Sequence, residues 1–310
     1  MSNIEIGNVE KNILEEVSDL HSIPTGAYNI RVNGAVALRN TTANIDIVPK
    51  DDKSGIDIYI KENTKGESIH IPVILSQTGM TDLVYNDFHV GENADVTIIA
   101  GCGIHNGGNK KSEHNGIHTF YIGKNAKVRY IEKHYGDGEG TGERVLNPQT
   151  MVNISEGGYM EMETTQVKGV DSTKRETKAK LGDGATLIVK EKIFTHGQQK
   201  AETNFEVDLD GIDCSTNVIS RSVAKDDSKQ VFLAKVNGNN KCAGHTECDS
   251  IIMDNASVKA IPEISANNVE ANLIHEAAIG KIAGEQLIKL MTLGLTEAEA
   301  EEQIVSGFLK

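Results

Sequence analysis

Gly91-Glu-Asn-Ala-Asp-Val96 and Gly123-Lys-Asn-Ala-Lys-Val128 are two copies of one phrase, set 32 residues apart. Each reads as a turn suited to positive φ, then a small residue, then the start of an alternating strand. Looser copies stand at Glu156-Gly-Gly-Tyr-Met-Glu161, Gly182-Asp-Gly-Ala-Thr-Leu187 and Met253-Asp-Asn-Ala-Ser-Val258. The small alanine suits a chain that must turn a tight interior corner. Turn–strand units recurring about every 26 to 33 residues are the mark of a parallel β-solenoid. The alternative is an antiparallel sandwich with repetitive turns.

Around the repeat, short runs alternate apolar and polar residues, as in Ile45-Asp-Ile47-Val48, Ile56-Asp-Ile58-Tyr-Ile60, Val96-Thr-Ile98-Ile99 and Val128-Arg-Tyr130-Ile131. These predict strands of four to six residues, and helical periodicity is largely missing from about Asn29 to Ala271. Helices are predicted only at the two ends. Ile13, Leu14, Val17 and Leu20 recur at helical spacing within Asn8–Leu20, before Pro24-Thr-Gly26. Ala277–Leu293 carries Ile279, Ile282, Leu287, Leu290 and Met291, and Gly294 supplies a stop. Thr296 with Glu299 forms a capping box for a second helix, Glu297–Leu309. The expected organisation is a helical segment over 1–28, a β-helix core over 29–271 and a C-terminal helical hairpin domain over 272–310.

Composition excludes several classes. The 310 residues carry 31 Lys+Arg against 45 Asp+Glu, a net charge of −14, so no basic face exists to neutralise phosphates and no nucleic-acid partner is expected. Aromatics make up 4% with no Trp, which argues against a base-stacking platform. No run of 18 apolar residues exists, so no membrane span is expected. The start, Met1-Ser-Asn-Ile-Glu, lacks a secretory pattern. Cys102, Cys214, Cys242 and Cys248 therefore read as reduced thiols of a cytoplasmic protein.

Three clusters offer chemistry. Cys102 with His105, and His114 with His118, have spacings at which thiolate and imidazole could converge on a soft or borderline metal. Cys242-Ala-Gly-His245-Thr-Glu-Cys248-Asp249 is a second soft-ligand set, with no fourth ligand at fixed spacing; Cys248 could equally pack in a strand as a small hydrophobe. His275-Glu276, placed by this reading at a strand-to-helix junction, is the third. A phosphate loop, a nucleophile elbow and the His-Glu-x-x-His motif are all missing, so no unaided ATP hydrolysis is expected. A rival enzyme reading rests on Glu206, Asp208 and Asp210 along one strand, with Asp213 beyond, as a carboxylate line for polysaccharide chemistry. A solvated face explains the same line.

The segment Thr246-Glu-Cys-Asp-Ser-Ile-Ile-Met, Ile261-Pro-Glu-Ile-Ser-Ala-Asn-Asn-Val269, His275-Glu-Ala-Ala-Ile-Gly-Lys-Ile282 and Glu285 through Phe308 closely resembles the core of the SufB/SufD family of iron–sulfur cluster assembly proteins. Cys102 in its Gly-Cys context and Phe120-Tyr-Ile-Gly-Lys-Asn-Ala-Lys-Val128 resemble a SufB motif too. The likeness runs from about Gly91 to the end, and the short N-terminus suggests a compact SufB-like member. The resemblance implies a right-handed parallel β-helix between helical ends, acting as a scaffold and not as an enzyme. It implies a dimer, either with itself or with a SufD-like paralogue, and a SufC-like ABC-type ATPase docked on the C-terminal helices. We expect Leu290, Leu293, Leu295 and Phe308 to carry that docking. It also implies a transient iron–sulfur cluster, a sulfur donor and apo acceptor proteins. The family cysteine expected within Asp254–Pro262 is replaced, counting back from Pro262, by Ala256, and a following histidine is missing. His275 matches a histidine of both branches and Glu276 a glutamate of the SufB branch. The expected ligands are therefore His275 and Glu276 first, then Cys102, Cys248 and Cys242, with His105 and His118 beside Cys102.

Overall fold

The computed structural model describes residues 6–310. The chain winds into a β-solenoid of about eight turns. Each coil lays one strand in each of two facing ten-stranded sheets, and neighbouring coils pair in parallel. Strands are longer than the apolar runs suggest, commonly 10 or 11 residues, because alternation continues through inward-facing polar positions. In register, Val96 lies beside Val128, Val128 beside Met160 and Met160 beside Leu187. The uneven repeat spacing is thus the coil length itself.

The repeated phrase makes the corners. Ala94, Ala126 and Ala185 are fully buried. Their N–H groups donate to the carbonyls of Gly91, Gly123 and Gly182 at 3.2, 3.1 and 3.2 Å. Asn93 and Asn125 sit at φ 55°, and Gly157 and Gly184 at 65° and 61°. Corners also stack: the Asn93 N–H donates to the Lys124 carbonyl one coil on, at 2.9 Å. A side chain at Gly91 would strike the backbone of Glu62, which is why glycine opens the phrase. The copy at Met253–Val258 makes the opposite corner, where the chain crosses from the strand Cys242–Ile252 to the strand Ser257–Ala266.

Two antiparallel hairpins close the N-terminal end: Ala27–Val32 with Ala35–Asn40 through Asn33-Gly34, and Ile45–Pro49 with Gly55–Ile60. Hairpins that cover a sheet edge block further strand addition. Helix α1 (Asn8–Ser18) buries Ile13, Leu14 and Val17 against this end. It lies directly on Gly101 and Gly103, where a Cβ would meet the Val17 carbonyl and the Ile13 side chain. The Gly-Cys-Gly context of Cys102 is thereby explained by helix docking.

The C-terminal end differs from expectation. The strand Ala271–Gly280 pairs in register with Cys242–Ile251, so the solenoid runs nine residues past the boundary expected at Ala271. The helix expected from Ala277 begins only at Gly284. Ala277–Gly280 reads equally as helix or strand by period, and the waiting ladder of Cys248–Ile251 decides for strand. Helices α2 (Gly284–Thr292) and α3 (Glu297–Phe308) follow, and the Thr296–Glu299 capping box forms as expected. Leu290, Leu295 and Phe308 are half-buried, whereas Leu293 is 77% exposed and Ile288 and Met291 are exposed beside it. No helix among the described residues is long and apolar enough to cross a membrane. The strands Ser257–Ala266 and Ala271–Gly280 end their sheets with a neighbour on one side only, and Ile264, Val269, Ile274 and Ile279 are exposed there.

Candidate functional site

Side chains alternate across a strand, so sequence neighbours leave on opposite faces. Thr246, Cys248 and Ser250 point into the solenoid, while His245 and Glu247 point outward. The register sets His275 beside Thr246 and Glu276 beside Glu247. His275 and Glu276 lie within the last strand, not at a strand-to-helix junction. One copy of the chain does not bring their side chains together.

Inside, His275 Nδ1 lies 2.6 Å from the Thr246 hydroxyl. Burial, with His245 behind it, lowers the His275 pKa. Cys248 Sγ lies 3.9 Å from the Ser250 hydroxyl, which is 2.8 Å from that of Ser222. Burial pushes the Cys248 thiol up to about 11. Outside, His245 Nε2 is 3.6 Å from a Glu276 carboxylate oxygen, and Glu247 completes a group whose ligand atoms all lie within 4.8 Å of one another.

The other expected ligand sets do not converge. Cys102 and His105 are three residues apart in one strand and diverge by parity. His105 pairs with Asp137 at 2.7 Å near the surface. His118 is inside the solenoid, its Nδ1 2.8 Å from the Tyr130 hydroxyl and its Nε2 3.3 Å from Asn86. Cys102 packs with Val73, Leu75, Ile104, Leu146 and Val170. Cys242 and Cys248 face inward, whereas His245 between them faces out. Cys242 stacks in register on Cys214, whose thiol donates to the Gly211 carbonyl at 3.1 Å. All four cysteines are free and buried. Burial raises every thiol pKa, furthest at Cys102, where Glu132 and Asp82 add to it. Thiols held protonated are weak ligands and nucleophiles.

A ladder of polar groups inside the solenoid escaped sequence reading. Asp82 takes Arg31 at 3.1 Å and His114 at 3.0 Å. Tyr130 donates to Glu132, which pairs with Arg175. Glu191 accepts from Thr203 at 3.0 Å and Ser220 at 2.8 Å. Burial acts against the charge of Glu132, but Arg175 and His134 outweigh it and hold the carboxyl well below its usual range. Glu191 goes the other way, raised by burial more than Arg175 lowers it. The available signal was inward parity: Val128 and Tyr130 fix a core face on which Glu132 and His134 also fall.

Burial lowers the His118 pKa to about 4. The unfolded chain therefore takes up a proton near the ordinary value of about 6.5 that the folded chain refuses, and stability falls as pH drops from about 6.5 to about 4. The loss attributable to this group approaches about 3 kcal/mol. Urea unfolding from pH 7 to 4.5 should show a shallower acid slope for His118→Gln than for wild type; equal slopes would contradict the assignment.

The carboxylate line on the outer face is a set of cross-coil pairs. Glu206 meets Lys178 at 3.3 Å and Lys235 at 3.4 Å, and Asn237 donates to Asp208 at 2.7 Å. Asn239 donates to Asp210 and Lys241 pairs with Asp213, both at 2.7 Å. Such ladders describe a solvated face.

The geometry defines a two-sheet β-solenoid with thiol, imidazole and carboxylate donors gathered on its last coils. The family model described as SUF system FeS cluster assembly, SufBD core domain, matches residues 74–308. This chain belongs to that family, whose role is iron–sulfur cluster assembly. It is 31% identical over 263 residues to the iron-sulfur cluster assembly SufBD family protein of Methanocaldococcus jannaschii, covering 84% of this chain and 82% of that one. The Pyrococcus horikoshii protein of the same description is 26% identical, covering 99% of this chain and 96% of the relative. A Staphylococcus saprophyticus relative is 28% identical over 71% of this chain, which spans only 47% of its length.

Proposed function

We propose that this chain is the scaffold of a SUF-type complex, on which a transient iron–sulfur cluster is built at the last coils of the solenoid. The carrying observation is the placement of Cys248 two residues along from Thr246, the residue that holds His275, on the inner face beside the terminal strand. Thiolate and imidazole are the donors that clusters use. The geometry favours Cys248 over Cys102, which points inward near the N-terminal end of the solenoid among Val73, Leu75, Ile104, Leu146 and Val170, far along the chain from the terminal strand.

The exposed edge strands support a dimer. Unpaired edges with apolar Ile264, Ile274 and Ile279 are what a second strand covers, and a two-fold contact there would set two copies of the donors close together. A second copy is the simplest partner, and a SufD-like paralogue would fit the same edge. A SufC-like ATPase would dock on the exposed apolar residues Ile288, Met291 and Leu293 of the hairpin. The buried, protonated thiols call for an opening step, which a partner supplies by binding an open state more tightly than a closed one. ATP hydrolysis would lie in that partner, a sulfur donor and apo acceptors would act before and after assembly, and reduced thiols fit the cytoplasm.

The test is anaerobic incubation with ferrous iron and sulfide, with and without an added SufC-like ABC-type ATPase. We expect visible charge-transfer absorbance and a dimer by light scattering. A colourless monomer under both conditions would overturn the proposal.

A further inference from the structure

His245, Glu247 and Glu276 collect on the outer face of the last two coils, across the sheet from Cys248. His245 Nδ1 lies 3.0 Å from Asn217 Oδ1. A carbonyl oxygen only accepts, so this contact places the imidazole proton on Nδ1. In the neutral ring Nε2 then carries a lone pair, and it faces the Glu276 carboxylate at 3.6 Å. Such a pair is satisfied either by a proton on Nε2, as a plain ion pair, or by a metal cation held between nitrogen and oxygen. Glu247 adds a third donor, its carboxylate lying within 4.8 Å of both other ligand atoms. A cavity of about 270 Å³ bordered by His245, Asn217, Gly244 and Ile274 opens beside the group.

We propose that His245, Glu247 and Glu276 form a reversible binding site for a divalent first-row transition ion. One imidazole and two carboxylates suit Fe²⁺, Mn²⁺, Co²⁺ or Zn²⁺. Asn217 is a positioning residue that sets the tautomer of His245, as outer partners of metal-bound histidines do. His245 is half-buried and Glu276 is exposed, so an ion can enter and leave without opening the solenoid. Because Glu276 follows His275 in the chain, an ion held outside is separated from the thiol inside by the thickness of one strand. The use of this site to load ferrous iron rests on the scaffold reading; the binding of the ion does not.

The test uses the full chain without a polyhistidine tag, titrated with Co²⁺ and read by its visible absorption, and with Fe²⁺ by anaerobic dialysis. We expect one ion per chain. His245→Ala and Glu247→Gln should each weaken binding by about 10-fold or more, Asn217→Leu by about 10-fold, and Cys248→Ser should leave it unchanged. Circular dichroism checks the fold of each variant. If wild type binds Co²⁺ no better than His245→Ala, then His245 and Glu276 are a simple ion pair and the proposal falls. Cluster formation separates the two ideas. A cluster without outer-face Co²⁺ binding overturns this inference alone, whereas outer-face binding with no cluster in wild type overturns the scaffold reading alone.

Discussion

Replacing Cys248 by Ser should abolish cluster formation while leaving the solenoid folded. The substitution keeps the shape and a polar hydrogen beside Ser250, so packing changes little. It removes the inner-face thiol nearer to His275, two positions along the strand from Thr246 where Cys242 stands four away. Cys102→Ala and Cys214→Ser should retain cluster, since Cys102 packs inside the N-terminal half of the solenoid and Cys214 lies at the far end of its strand. His275→Ala should lower the yield without affecting Co²⁺ bound outside, because its ring points inward. The readout is visible absorbance and bound iron per chain after anaerobic incubation. Wild-type yield in Cys248→Ser together with loss in Cys102→Ala would move the site to the interior around Cys102.

The second large effect concerns stability. Arg175 is enclosed between Glu132, which it contacts directly, and Glu191 at 3.8 Å, with all three side chains at most 4% exposed. Arg175→Met leaves the buried Glu132 charge with only His134, at 3.6 Å, and the Tyr130 hydroxyl against it. Breaking such a pair costs about 3–5 kcal/mol, whereas replacing both partners by groups of similar volume is often nearly neutral. The double variant Arg175→Met with Glu132→Gln should therefore be more stable than Arg175→Met alone. Urea unfolding at pH 7 measures both. The defect of the single variant should shrink on acidification, because protonation relieves the stranded carboxylate. A single variant within about 1 kcal/mol of wild type would show that the ladder contributes little, against the usual cost of an unpaired buried charge.

Much of the architecture was legible locally. The Asn-Ala corners depend on residues within six positions of one another, and so does the Thr296–Glu299 box. The sites were less legible because spacing means different things on different elements. Cys-x2-His reads as a converging pair in a loop, but in a strand the two side chains leave on opposite faces, as Cys102 and His105 do. The same parity separates His275 from Glu276, and His245 from Cys242 and Cys248. Glu132 was assignable to the interior from its own strand, yet Arg175, 43 residues away, was not assignable to it.

By itself the sequence determined a β core of repeated turn–strand units between helical ends and its corner chemistry, and the family resemblance, strongest over the last 65 residues, pointed to a solenoid over a sandwich. These follow from local turn preference and alternation, which each segment carries within itself. Tertiary structure alone decided that Ala277–Gly280 extends the last strand, that His275 pairs with Thr246 and Glu276 with Glu247, and that α1 docks on Gly101 and Gly103 while Cys102 between them points inward. The reason is the register between coils. Ladder hydrogen bonds join residues about 28 positions apart, and they, not the local pattern, settle which side chains share a face and which backbone groups have partners.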